Sequence, residues 1–89
     1  MQTYGIVLFY STREAMKAEA LLKEKAQLNV RIIPTPETIH ASCGFSLKYQ
    51  LADEAQLVEL LHQADIKREG IYTATRYGLK TQYQLREEL

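Results

Sequence analysis

The sequence has a single cysteine, Cys43, and two histidines, His40 and His62, among 89 residues. One thiol excludes an intrachain disulfide and a multi-cysteine zinc site, fits a reducing compartment and leaves one free sulfur. An excess of charge is lacking too. Lys and Arg total 11 and Asp and Glu total 11, so no net field draws a polyanion, and nucleic acid is not expected among the partners. Long hydrophobic runs are missing. The longest apolar stretch, Tyr4 to Tyr10, is seven residues with no basic residue before it, too short for a membrane span and unlike a signal-peptide core. The expectation is a cytoplasmic protein with no membrane partner. There is no glycine-rich phosphate loop, no H-E-x-x-H and no nucleophile elbow, so no cofactor and no metal site are expected.

What is present suits one small globular core. A hydrophobic fraction of 46% and a charged fraction of 25% are those of an ordinary folded domain, and the length leaves no room for separate cofactor and substrate lobes. The run Tyr4 to Tyr10 is continuously apolar, β-branched and aromatic, as a central strand should be. Ser11 and Glu14 have the S-x-x-E spacing of a capping box, and Ala15, Ala18, Leu22 and Ala26 then form a small-residue stripe that a helix would lay on a sheet. Val30 to Ile33 reads as a strand stopped by Pro34 and Pro36, which suits a sheet edge. Phe45 to Tyr49 alternates with period two, and Asp53 and Gln56 repeat the capping spacing ahead of a second stripe, Leu57, Leu60, Leu61 and Ala64. After a polar turn, Ile71 to Arg76 reads as a last strand.

The order strand, helix, strand, strand, helix, strand predicts an α/β (α+β) sandwich of the ferredoxin-like βαββαβ kind: a four-stranded antiparallel sheet with two helices on one face. In this reading the first and third strands are central and parallel to each other, and the second and fourth lie at the edges. Residues 1–76 form the domain and residues 77–89 an extension, a short helix or a tail. Leu79 and Tyr83, four apart, mark the face such a helix would have. The extension is expected to leave the sheet beside Cys43 and to cover the thiol or dock on a partner.

Cys43 stands out as the nucleophile candidate because a thiolate reacts where a thiol does not. Ser42 is placed to hydrogen-bond the sulfur, Gly44 lets another molecule approach the backbone and tolerates positive φ, and a helical turn over residues 37–42 would bring His40 beside the thiol at i, i+3. Two features oppose a reactive thiol. In the expected topology the start of the third strand meets the partially negative C-termini of the helices, which disfavour a thiolate; and Cys43 shares parity with Phe45, Leu47 and Tyr49, which points it into the core. His62, one position past the leucine stripe, reads as a partly exposed helix residue. The six tyrosines read as ordinary strand residues without the paired aromatics of an RNA-binding sheet.

The stretch Ile32-Ile33-Pro34-Thr35-Pro36, followed by Ile39-His40-Ala41-Ser42-Cys43-Gly44-Phe45-Ser46-Leu47, resembles the central motif of the selenium/sulfur carrier-like domain family, small bacterial proteins mostly of unsettled function. Val7 to Thr12, with Ala15, Lys17, Ala18 and Glu19, resembles the first strand and helix of that family, and Gly70-Ile71-Tyr72 its closing strand. About residues 4 to 74 are covered; His40 and residues 77–89 depart from the pattern. The resemblance implies a carrier in which Cys43 accepts sulfur or selenium as a persulfide or selenyl adduct and Gly44 shapes its loop; Ser42 and His40 are supporting candidates by their position near the thiol alone, and no base role for His40 follows from the resemblance. It implies a cysteine desulfurase-like donor and an acceptor protein, and no turnover chemistry of its own. The other reading is a noncovalent regulatory or interaction module, pairing as a homodimer through an exposed edge strand.

Overall fold

The computed structural model describes residues 1–88. Its elements are β1 (Gln2–Phe9), α1 (Thr12–Ala26), β2 (Arg31–Pro34), β3 (Phe45–Tyr49), a 3-10 turn (Leu51–Asp53), α2 (Glu54–Gln63), β4 (Arg68–Tyr77) and β5 (Lys80–Glu88). The five strands form one antiparallel sheet in the order β2-β3-β1-β4-β5. The apolar opening run becomes the middle strand, and Ile6, Val7, Leu8 and Phe9 are buried on both faces of the sheet. β2, closed by Pro34, lies at an edge.

Two expectations about the sheet fail. β1 and β3 are antiparallel, with Leu8 opposite Ser46 and Gly5 opposite Tyr49. Parallel pairing is impossible here: one helical crossover followed by the β2–β3 reversal returns β3 against β1. The second failure is the reading of residues 77–89. Residues 80–88 are neither a helix nor a tail but a fifth strand, which removes β4 from the edge. Gly78 has φ +61 at the first position of the two-residue loop between the paired Tyr77 and Lys80, as a type II′ hairpin turn requires. That turn lies at the sheet end opposite Cys43, so residue 77 does not leave the sheet beside the thiol; β5 runs back along β4 and brings Glu88, paired with Gly70, to the Cys43 end. Leu89 lies outside the described residues.

One face carries the main core. Val7, Phe9, Leu47, Tyr49 and Ile71 of the sheet pack against Ala15, Ala18 and Leu22 of α1 and Leu57 and Leu61 of α2. The small-residue stripe lets α1 sit close to the strands. Ser11 caps α1, its hydroxyl accepting the Glu14 N–H at 3.3 Å. The second capping box does not form: a 3-10 turn feeds α2, and Asp53 makes no side-chain cap bond. Instead Tyr49 lies across Gly5, where an added Cβ would come within 2.1 Å of the ring, and its hydroxyl donates to Glu54 at 2.6 Å. The opposite face buries Ile6, Leu8 and Ala74 beneath Ile39 of the β2–β3 connection and the side chains of Tyr4, Tyr72 and Tyr83.

Candidate functional site

Because β1 and β3 are antiparallel, Cys43 arrives where β1 ends and α1 begins. Its Sγ shares a hydrogen bond with the Thr12 hydroxyl at 3.5 Å and accepts the Phe45 N–H at 3.3 Å. Thr12 is the first residue of α1. The helix end next to the sulfur is therefore an N-terminus, whose unpaired N–H groups carry partial positive charge and favour an anion. This reverses the expected C-terminal environment at the hydrogen-bonding contact. α2 does end at the same rim, but it contributes no hydrogen bond to the sulfur.

The parity argument holds in direction. Cys43 turns to the helix side and is only 6% exposed. It belongs to neither apolar cluster, and both its hydrogen-bonding neighbours are polar groups. Around it the chain is open: Ser42 and Gly44 are exposed, and Phe45 is 43% exposed. Cys43 thus sits at the rim of the sheet but is itself buried, its sulfur held between Thr12 and the Phe45 N–H.

The turn that carries it is tied down from two sides. Thr35 donates its hydroxyl to the Cys43 carbonyl at 3.0 Å and its N–H to the Gly44 carbonyl at 2.8 Å, and its hydroxyl meets that of Ser46 at 2.6 Å. From β4, Glu69 accepts the Ser42 N–H at 2.9 Å through one carboxylate oxygen and the Ser42 hydroxyl through the other. Sequence reasoning assigned no site role to Thr12, Thr35 or Glu69. Thr12 and Thr35 come from two other segments of the chain, and Glu69 lies 27 positions from Ser42; no local spacing signals such pairs.

Three supporting roles change accordingly. The Ser42 hydroxyl bonds Glu69 and not the sulfur. Residues 37–39 form a turn closed by the Ile39 N–H on the Pro36 carbonyl at 3.0 Å, without a helix, and His40 is exposed and makes no hydrogen bond to Cys43 among the described residues. Gly44 has no positive φ, and an added Cβ would meet nothing within 4 Å. Its local contribution is open space above the backbone. His62 is exposed on α2. Among the described residues no three His, Cys, Asp or Glu side chains converge as a metal site, and no helix is long and apolar enough to cross a membrane.

The family described as "Putative Se/S carrier protein-like" matches residues 4–73. An uncharacterized protein of Methanocaldococcus jannaschii is 36% identical over 76 residues, covering 85% of this chain and 38% of the relative. The chain thus spans well under half the length of that relative. No solved structure matches the chain.

Proposed function

Since this chain belongs to the Se/S carrier protein-like family, we propose that it is a sulfur or selenium carrier with Cys43 as its covalent site. The observation that carries the reading is the placement of the one thiol at the N-terminus of α1 with two hydrogen-bonding neighbours on Sγ. The Cys43 thiolate attacks the terminal sulfane sulfur of a donor persulfide. The donor S–S bond breaks, the donor leaves as a thiolate, and Cys43 becomes a persulfide; a second exchange passes the sulfur to an acceptor protein. No external oxidant is consumed. Selenium follows the same course as a selenyl adduct.

The chain is a substrate of its donor and not a turnover enzyme, and we place it in the reducing cytoplasm, where a lone thiol stays free. We read the β2-β3-β1-β4 part of the sheet as a ferredoxin-like unit to which β5 is added. Exposed Phe45 and the open space over Gly44 offer a docking partner an apolar foothold next to the sulfur. Because Cys43 is 6% exposed, delivery requires the partner to lift the turn held by Thr35 and Glu69.

Incubation with a cysteine desulfurase and cysteine, followed by intact-mass measurement, tests the proposal. One added sulfur atom is expected on the native chain and none on Cys43→Ser. An unmodified native chain sinks it. The low exposure of the sulfur also favours a second reading, a noncovalent interaction module. Maleimide labelling that stays as slow with the donor present as without it would support that module.

A further inference from the structure

The sheet face away from the helices carries a second feature, independent of Cys43 and of the carrier reading. Strand register places its side chains in rows. Arg31, Lys48, Ile6, Tyr72 and Leu85 form one row; Tyr4, Ala74 and Tyr83 form the next; Gln2, Arg76 and Thr81 form a third. These rows hold three cations and no acidic residue. Arg31 and Lys48 stand directly opposite each other on β2 and β3, an arrangement of like charges that destabilises a sheet unless something compensates it. No carboxylate does so among the described residues, whose ion pairs are Lys23–Glu19, Arg68–Glu87 and Arg86–Glu54. Lys48 instead lies 4.2 Å from the centre of the Tyr4 ring, and Arg76 donates to the Gly78 carbonyl at 3.1 Å.

Between the cations lie three tyrosines, each half-buried. Tyr4 and Tyr83 flank the small Ala74, and Tyr72 occupies the next row. At the edge of this face a hollow of about 420 Å³ opens beside Tyr4, Arg31 and Lys48, with Asn29 and Gln50 in its wall. Cations that form no ion pair among the described residues, interleaved with aromatic rings, match a ligand that brings phosphates and flat bases together. A free inorganic anion would leave the rings unused, and a duplex keeps its base faces stacked inside.

We infer that this face binds single-stranded nucleic acid, with phosphates on Arg31, Lys48 and Arg76 and bases on Tyr4, Tyr72 and Tyr83. The zero net charge of the chain does not oppose this, because no acidic residue shares a row with Arg31, Lys48 or Arg76; Glu88 falls one row beyond Leu85, at the β5 edge far from Arg31 and Lys48.

Fluorescence anisotropy of a labelled oligouridylate of about twelve nucleotides, titrated with the full chain, tests the inference. Saturable binding is expected, weakening roughly twentyfold between 50 and 200 mM salt for three neutralised phosphates. The triple variant R31Q/K48Q/R76Q should lose this binding, and Tyr83→Leu should weaken it at least about fivefold. Cys43→Ser should bind like the native chain, so failure of the carrier reading leaves the outcome distinct. Circular dichroism checks that each variant is folded; if Tyr83→Leu is not, the charge variant and the salt slope decide. Absence of saturable binding, equal affinity for a duplex of the same length, or native affinity in a folded Tyr83→Leu would each overturn the proposal.

Discussion

At the scale of single residues, the chemistry of Cys43 is decided by contacts its own segment does not contain. Thr12 reaches the sulfur across 31 positions of sequence, while Glu69 holds the preceding Ser42 through both of its carboxylate oxygens. If this hold keeps the sulfur covered, Glu69→Gln should speed maleimide labelling of Cys43. A charged bond replaced by a neutral one loses about 1 kcal/mol, or roughly fivefold in the open population. A labelling rate equal to that of the native chain would show that Glu69 does not control access. The cysteine itself and its exposed neighbours were legible in the sequence; the parts assigned to Ser42 and His40 were not, because the geometry of a ten-residue connection depends on what it packs against.

At the scale of elements, the strength of each pattern decided how well it could be read. α1 follows from its Ser11 cap and alanine stripe, and β1 from its apolar run, because both signals are local and of one period. α2 formed where the leucines required, although the cap expected at Asp53 is absent; burial of Leu57 and Leu61 outweighs one missing cap bond. β5 shows the reverse. Tyr83 and Leu85 alternate with Gln82, Gln84 and Arg86, a period-two signal, but the four-residue spacing of Leu79 and Tyr83 suggested a helix instead. The pairing of β1 with β3 yields a direct prediction. Gly5 leaves room for the Tyr49 ring, so Gly5→Ala should destabilise the fold by about 2 kcal/mol through overpacking, measurable as a lower urea midpoint. An unchanged midpoint would show that the ring can shift freely.

At the scale of the whole molecule, Glu54 ties three elements together: at the start of α2, it accepts from Tyr49 of β3 and pairs with Arg86 of β5. The Arg86 guanidinium, followed by the Tyr49 hydroxyl, holds the Glu54 carboxyl below its ordinary value of 4.5 despite partial burial. Its contribution to stability is therefore present above that value and is lost as pH falls through the lower folded value. Burial first, and then the bond to Glu54, pushes the Tyr49 phenol well above its ordinary 10.0. That contribution is complete below pH 10.0 and is lost as pH rises toward the folded value. Urea midpoints measured across pH should show a plateau between these limits. Glu54→Gln should flatten the acid limb, and Tyr49→Phe should flatten the alkaline limb. Limbs of native steepness in both variants would contradict the assignment.

Composition and local pattern were sufficient for one small core, two helices, a central first strand and one free thiol, because burial periodicity and cap chemistry act within a few residues. Strand direction, the fifth strand, the helix end that meets Cys43 and the grouping of Tyr4, Tyr72 and Tyr83 on one face came only with the folded chain. Each of these depends on which distant segments pair, and pairing is settled by the packing of the whole sheet, not by the residues of any one strand.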